Sequence, residues 1–239
     1  MKIAILTPMY GGQCSSNYCV AMCELAGKLV REGMTFEFFT LSNESLIQRA
    51  RNLLAHWALN DPSVTHLLWI DSDIGFRADD VLQMLRRDID FLCGAYSRKG
   101  LEWERVRQAA LAGKPNLDEC ASQTLIEGMN GALDVWTVRD HDLIEVKRGG
   151  TGFMLLKRSV FETMARAPWM RSYKNNQTTV GRQPAQRGDT LTAYFECPIE
   201  NDLLVSEDYF FCDNWRRCGG KIFVAPWIRL SHSGTYRFV

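Results

Sequence analysis

The 239-residue sequence has no excess of either charge, because 28 basic and 28 acidic side chains cancel. No whole-molecule field therefore favours nucleic acid, a membrane surface or an acidic polymer, and an anionic ligand has to be held by local groups. The chain also lacks any apolar run near the roughly 20 residues that a membrane helix needs, and its first residues are too briefly apolar for a signal peptide. We therefore expect a cytoplasmic protein without a membrane span.

Closely spaced metal or disulfide ligands are also missing. The eight cysteines are scattered along the chain without a CxxC pair, and there are only four histidines. Zinc sites and disulfide frameworks in short chains depend on such spacings. We interpret the cysteines as reduced thiols in the core, where free cysteine is usually found.

Strand-like apolar runs and helical patterns alternate along much of the chain. The predicted strands are 3–6, 36–41, 66–70, 91–95, 152–156, 193–197 and 222–225. The predicted helices are 16–31, 45–60, one that begins near residue 79, 158–166 and 207–217. This alternation predicts an α/β fold with a mostly parallel central sheet flanked by helices. The length and the 46% apolar content suit one domain.

One stretch breaks this pattern. Between Arg166 and Gly188 the sequence is rich in Asn, Gln, Pro and Gly, and it carries five basic residues and no acidic one. We predict a long loop, and long loops inside a compact domain are usually functional or disordered. Its charge suits either an anionic acceptor or the phosphates of a donor, and a solvated loop explains it equally well.

Two carboxylates directly follow a predicted strand of the buried type. Residues 66–70 lead into Asp71-Ser72-Asp73. Ligands of open α/β sheets gather at the carboxyl ends of strands, and paired carboxylates there suit Mg²⁺ or Mn²⁺, which can bridge to a diphosphate. A polar turn is the alternative, since two acids with this spacing are common in loops. The position after a buried-type strand favours the metal.

Five segments of the chain, taken in order, resemble the A-type nucleotide-sugar glycosyltransferases, especially the family 2 group and its relatives. They are Thr7-Pro8, Ala50-Arg51-Asn52, Asp71-Ser72-Asp73, residues 150–154 and Ser206-Glu207-Asp208. The resemblance covers most of the chain and depends on order and spacing more than on any one segment. It implies a single A-type domain, with the nucleotide sugar held by about residues 1–95 and the acceptor and catalytic groups by about 96–239.

The resemblance implies contacts to the nucleotide from two segments. Thr7 and Pro8 would border the base or ribose, and Arg51 and Asn52 would hold the nucleotide. Taken without the resemblance, Thr7 and Pro8 would simply end a strand, and Arg51 would be an ordinary helix arginine. UDP is the default nucleotide for the family.

A second set of residues is implied at the diphosphate and the metal. Asp73 would be the principal ligand of Mn²⁺ or Mg²⁺, and Asp71 would contact both the metal and the donor. His232 falls where several A-type transferases complete the metal shell with a histidine, although a lone histidine is more often structural. Gly152 belongs to a glycine-rich segment without the spacing of a Walker or dinucleotide motif, so we interpret it as a close approach of backbone to the sugar.

The catalytic acids implied by the resemblance are Glu207 and Asp208. Asp208 would deprotonate the acceptor hydroxyl as it attacks the anomeric carbon, which implies inversion, and Glu207 would position the acceptor or support the base. A structural interpretation competes with this one. Ser206 suits an N-cap, and acids in a first helical turn stabilise the helix dipole.

These observations predict a metal-dependent enzyme that moves a sugar from a nucleotide-diphosphate sugar to a hydroxyl. A nucleotidyltransferase is one alternative, although the chain lacks a convincing glycine-rich basic phosphate loop near its start. A noncatalytic nucleotide-sugar-binding module is another, and the combined presence of the acids and His232 argues against it. The acceptor class stays open among saccharide, lipid-linked glycan, protein and nucleic acid, and the neutral net charge makes nucleic acid the least favoured.

Overall fold

The computed structural model describes residues 1–133, 138, 142–176 and 187–235. The helices in these ranges are α1 (Ser16–Arg31), α2 (Ile47–Asn60), α3 (Ala78–Arg86), α4 (Trp103–Leu111), α5 (Arg158–Ala165) and α6 (Glu207–Arg217). The strands are β1 (Lys2–Met9), β2 (Thr35–Ser42), β3 (His66–Ile70), β4 (Ile74–Gly75), β5 (Phe91–Gly94), β6 (Ile126–Gly128), β7 (Gly131–Ala132), β8 (Ile144–Gly149), β9 (Phe153–Lys157), β10 (Ser172–Lys174), β11 (Thr190–Thr192), β12 (Ile199–Glu200), β13 (Leu203–Leu204), β14 (Ile222–Ala225) and β15 (Ser231–His232).

A central sheet organises the described residues. Its strand order is β2-β1-β3-β9-β5-β14-β8-β6-β7. Strands β2, β1, β3, β5 and β14 run in one direction, whereas β9 lies against both β3 and β5 in the opposite direction, and β8 is antiparallel to β14. The predicted α/β fold, with a mostly parallel sheet flanked by helices, is confirmed.

Both faces of the sheet are covered, which explains why its central strands carry apolar side chains on both faces. Side chains of a strand alternate between the faces. In β3, Leu67 and Trp69 pack on one face with α2, α5 and α6, while Leu68 and Ile70 pack on the other face with α1 and α3. The ends of these buried strands are therefore held firmly, and they provide a rigid base for the loops that follow them.

Local signals define two helices at the bounds predicted from the sequence, α1 and α6. The Ser15 hydroxyl accepts a hydrogen bond from the Tyr18 amide (3.2 Å), which caps the start of α1. Gly33 follows the helix at φ +68°, a conformation that glycine adopts without a steric penalty.

Among the described residues, no helix combines the length and the apolar character needed to cross a membrane.

The strand predicted at 193–197 is wrong. This segment is irregular, and the nearest strand is β11 at Thr190–Thr192. The Phe195 amide donates to the Asn52 side-chain oxygen (2.9 Å), and the Phe195 carbonyl accepts from the Asn52 side-chain nitrogen (2.9 Å). An asparagine on α2 thus satisfies the backbone groups that a neighbouring strand would otherwise pair, so the segment can be apolar and buried without being a strand.

The loop predicted between Arg166 and Gly188 contains one strand of a hairpin, so the prediction of a continuous loop is wrong at Ser172–Lys174. Strands β10 and β11 pair antiparallel. The pairing extends beyond them, because the Asn175 amide donates to the Asp189 carbonyl (2.8 Å) and the Gly188 amide donates to the Asn175 carbonyl (2.8 Å). Residues 177–186 of the predicted loop lie outside the described residues.

The cysteines are free thiols, but their predicted place in the core holds only in part. Cys93 and Cys212 are buried, and burial raises the pKa of Cys93 to about 12. Cys14, Cys19 and Cys23 are exposed, which corrects the prediction. The helix α1 turns a different stripe of side chains toward the sheet, so its cysteines face outward.

Candidate functional site

A cavity of about 570 Å³ opens where β1, β3 and β5 end, as expected for a ligand site of an α/β sheet. The loops after these strands form one side of it, and the first turns of α2 and α6 form the other. Seven of the ten predicted site residues line the cavity. They are Pro8, Arg51, Asp71, Asp73, Glu207, Asp208 and His232.

Backbone hydrogen bonds hold the acidic loop after β3 on three sides. The Asp71 amide donates to the Gly152 carbonyl (2.9 Å), and the Ser72 carbonyl accepts from the Ser15 amide (2.8 Å). The Asp73 carbonyl accepts from the Ser233 amide (2.8 Å). The two carboxylates therefore project from a loop whose backbone is fixed by distant parts of the chain.

Asp71 forms a bidentate ion pair with Arg51. Two guanidinium nitrogens of Arg51 lie 3.1 and 3.2 Å from the two Asp71 oxygens, and its Nε lies 3.3 Å from Glu207 Oε1. The Arg51 side chain is only 4% exposed. Burial by itself lowers the pKa of Arg51, but the charges of Asp71 and Glu207 outweigh burial and raise that pKa above its ordinary value. Arg51 thus joins the loop after β3 to the start of α6.

Asp73 faces two different partners. Its Oδ2 accepts from the Lys99 ammonium, and its Oδ1 lies 3.4 Å from His232 Nε2. Burial by itself raises the pKa of Asp73, but the hydrogen bonds and charges of His232 and Lys99 outweigh burial and lower the pKa to about 2. Asp73 is therefore a carboxylate at neutral pH.

His232 is oriented by its second ring nitrogen. Nδ1 lies 2.7 Å from the Ser97 carbonyl, which only accepts, so Nδ1 carries the proton. In the neutral ring Nε2 then carries the lone pair, whereas a proton bound at Nε2 makes the ring a cation that donates to Asp73 Oδ1. A histidine held in this way is typical of metal ligands, and one imidazole nitrogen beside one carboxylate oxygen is a donor pair that suits Mn²⁺.

The predicted ligand set is not fully assembled around one point. Among the described residues, no three His, Cys, Asp or Glu side chains are grouped so that they could hold a metal ion. Asp73 and His232 are close together, whereas Asp71 turns its oxygens to Arg51. The residues present fit part of a metal shell, and the metal assignment of Asp71 stays a prediction.

The two acids of α6 differ in their surroundings. Glu207 is half-buried and contacts Arg51. Asp208 accepts two hydrogen bonds at Oδ1, from the Ser206 hydroxyl and from the Tyr209 amide (2.8 Å). The Ser206 hydroxyl therefore supports the Asp208 carboxylate and makes no capping bond to a backbone amide of α6. Both acids face the same cavity as Asp71 and Asp73.

Three predicted site residues lie behind the cavity wall. Thr7 is fully buried, with its hydroxyl 2.8 Å from the Tyr18 hydroxyl. Asn52 is occupied by the backbone of Phe195, as described above. Gly152 donates its amide to the Tyr96 hydroxyl (2.9 Å). None of the three is among the described residues that line the cavity, and their assignment to the substrate stays a prediction.

Gly152 has a clear structural reason to be glycine. A Cβ at this position would lie 2.7 Å from the Tyr96 ring and hydroxyl and 3.0 Å from Asp71 Oδ2. Distances below 3.0 Å force neighbouring atoms to move. The glycine therefore lets the segment before β9 pack against both Tyr96 and the acidic loop.

The loop after β5 also belongs to the site, although it was not predicted from the sequence. Tyr96, Arg98 and Lys99 line the cavity, and the Ser97 carbonyl orients His232. Burial, followed by the charge of Asp71, raises the pKa of Tyr96 well above its ordinary value, so its hydroxyl stays protonated. The available signal was the same as for the acidic loop, because these residues directly follow a buried strand of the same direction.

No protein-family model and no curated protein matches the sequence. Among solved structures, A197 from STIV superposes with a TM-score of 0.53 at 14% identity, over 98% of this chain and 87% of that chain. The catalytic domain of Drosophila β1,4-galactosyltransferase 7, in complex with xylobiose, gives 0.44 at 13% identity, over 94% and 64% of the two chains. GalNAc-T7 with UDP, GalNAc and Mn²⁺ gives 0.45 at 9% identity, over 97% and 44%. The likeness to A197 shows a shared fold, in agreement with the fold predicted from the sequence.

Proposed function

We propose that this chain is a glycosyltransferase that moves a sugar from a nucleoside-diphosphate sugar to an acceptor hydroxyl. The observation that carries the proposal is that Asp71, Asp73, Glu207 and Asp208 line one cavity with His232 at the ends of the sheet strands. The acids come from two segments that are distant in the sequence. His232 lies beside Asp73 of the first segment, and Arg51 lies beside Glu207 of the second. This arrangement suits a reaction between one anionic and one neutral substrate.

Asp208 is the proposed general base. Both of its described hydrogen bonds go to Oδ1, so the Ser206 hydroxyl and the Tyr209 amide orient the carboxylate while Oδ2 is left to accept a proton. The acceptor O–H bond breaks as its proton moves to Asp208, and the acceptor oxygen forms a bond to the anomeric carbon. The bond from that carbon to the diphosphate oxygen breaks, and the nucleoside diphosphate leaves. Attack opposite to the leaving group inverts the anomeric carbon.

Glu207 and Arg51 are the proposed positioning residues. Arg51 is buried between Asp71 and Glu207, so it fixes the acid loop after β3 relative to the start of α6. A fixed relation between donor side and acceptor side favours the aligned geometry that transfer requires. Pro8 lines the cavity at the end of β1, where it is proposed to border the nucleotide.

Asp73 and His232 are the proposed holders of a divalent cation. The support is the Nε2 lone pair and the carboxylate oxygen 3.4 Å apart, with Nδ1 bonded to the Ser97 carbonyl. When bound, a Mn²⁺ or Mg²⁺ ion would offset the charge of the departing diphosphate. We propose UDP as the first nucleotide to test.

The test is release of free nucleoside diphosphate from a panel of nucleotide sugars, with and without Mn²⁺, by the wild type and by Asp208→Asn. The amide keeps the shape of the carboxylate but accepts a proton poorly. We expect Asp208→Asn to bind the donor with unchanged affinity in calorimetry and to lose transfer by roughly 10²–10⁴-fold.

A matched control is Asp202→Asn, which makes the same chemical change at an exposed turn before α6. Asp202 has φ +63°, a conformation that asparagine tolerates well, so this variant should transfer normally. Normal turnover by folded Asp208→Asn would assign Asp208 a structural role at the helix start. Absence of nucleotide release from every donor, by a folded wild type, would refute the proposed activity.

A further inference from the structure

Lys99 occupies an unusual position beside the proposed cation holders. Its ammonium contacts Asp73 Oδ2 while His232 Nε2 lies on the other oxygen of the same carboxylate. The charge of Asp73 is thus already balanced by a side chain of the protein. A divalent cation that binds Asp73 has to compete with this ammonium, because both are attracted to one carboxylate.

Lys99 is also able to leave. Its side chain is 45% exposed, and a half-exposed ion pair typically changes a binding equilibrium by no more than about fivefold. Arg51 differs in this respect, because it is 4% exposed and held by Asp71 and Glu207 together. Of these two cations on the cavity wall, Lys99 is the one that can change partner at small cost.

The loop that carries Lys99 also controls His232. The Ser97 carbonyl accepts the His232 Nδ1 proton, so Ser97 and Lys99, two positions apart, act on the two groups proposed to hold the cation. Any shift of Lys99 therefore occurs beside a histidine whose Nε2 is kept ready to bind. The same cavity has to accommodate the negative diphosphate of the donor.

We propose that Lys99 is an exchangeable internal cation: it neutralises Asp73 when the site is metal-free, leaves Asp73 when a divalent cation binds, and then binds the diphosphate of the donor. The inference rests on the proposed function and deepens that proposal by assigning Lys99 two successive anionic partners. Such an exchange makes cation binding and nucleotide binding cooperative, because the bound cation releases the Lys99 ammonium for the nucleotide.

The test is the Lys99→Gln variant of the full chain, with two separate binding measurements. The first is the affinity for Mn²⁺ alone, from the electron paramagnetic resonance signal of free Mn²⁺. Removal of the competing ammonium should tighten Mn²⁺ binding up to about fivefold, the upper end for a half-exposed pair. The second is the affinity for UDP at saturating Mn²⁺, by calorimetry. Loss of a charged hydrogen bond to phosphate should weaken UDP roughly tenfold or more.

The opposite signs of the two changes separate this role from a structural one. Lys99→Arg keeps the positive charge, so it should restore both affinities to within about twofold of the wild type. Lys114→Gln removes an exposed lysine that is not among the residues lining the cavity, and both affinities should stay unchanged. His232→Gln should weaken Mn²⁺, which would confirm that the measured ion is the one beside Asp73.

Unchanged or weaker Mn²⁺ binding by folded Lys99→Gln would overturn the proposal, and so would unchanged UDP affinity. Two mixed results distinguish failure of the proposed Lys99 role from failure of the proposed sugar transfer. If neither protein binds Mn²⁺ but the wild type still releases UDP from a UDP-sugar, the inference about Lys99 fails and sugar transfer stands. If both predicted affinity changes occur but no donor is turned over, the role of Lys99 stands and sugar transfer fails.

Discussion

The two carboxylates of the acidic loop should differ sharply in their contribution to stability, although they are two residues apart. Asp71 pairs with both terminal nitrogens of Arg51, which is 4% exposed. Removal of one partner from a buried ion pair typically costs 3–5 kcal/mol, because the remaining charge is left uncompensated. Glu207 stays 3.3 Å from Arg51 Nε, so the loss in Asp71→Ala should be near the low end, about 3 kcal/mol.

Asp73 should behave differently. Its main partner, Lys99, is 45% exposed and is easily solvated when the carboxylate is removed. Pairs of this kind contribute roughly 0.2–1 kcal/mol, so the free energy of unfolding of Asp73→Ala should lie within about 1 kcal/mol of the wild-type value. The same variant should lose the turnover that Mn²⁺ supports, since Asp73 is the proposed principal ligand of the ion.

Urea unfolding followed by circular dichroism, with EDTA present, measures this difference. With a slope of about 3 kcal/mol per molar urea, Asp71→Ala should lower the midpoint by about 1 M, and Asp73→Ala by about 0.3 M or less. Equal midpoint shifts for the two single variants would refute the reasoning.

Two further predictions concern Gly152, beside the site, and His66, at the opposite end of β3. Gly152→Ala should destabilise the fold by about 1–3 kcal/mol, because its Cβ would press on Tyr96, whereas Gly27→Ala in helix α1 has open space and should stabilise by about 0.5–1 kcal/mol; thermal unfolding compares them. Burial, and secondarily the charge of Lys157, lowers the pKa of His66, so the unfolded chain takes up a proton first as pH falls. The free energy of unfolding should therefore decrease below about pH 6.5, and His66→Gln should make that decrease shallower; an unchanged pH profile would contradict this assignment.

Much of the fold could be predicted because its determinants are local. Helix α1 has its serine cap and terminal glycine within the segment itself, and both bounds were predicted. The irregular segment 193–197 could not be recognised, because the backbone partner of Phe195 is Asn52, 143 residues away. A buried apolar run is ambiguous until the partner of its backbone groups is known.

The candidate site shows the same division. The acids at 71 and 73 stand out because they directly follow an apolar strand. The pairing of Arg51 with Glu207 depends on contacts across 156 residues, so the sequence offered no sign that Arg51 is buried. Lys99 was missed because a lysine in a short polar loop is common, and only its distance to Asp73 makes it informative.

The position of β9 in the sheet has a consequence for how the protein is made on the ribosome. β9 lies between β3 and β5, and the other neighbour of β5 is β14. A nascent chain that ends at residue 95 has therefore synthesised β5 but neither of its neighbours. The carbonyl that holds the Asp71 amide, that of Gly152, is also still to come. A truncated product with both aspartates should consequently lack an ordered acidic loop, and the cavity forms only after α6 and β15 have been synthesised.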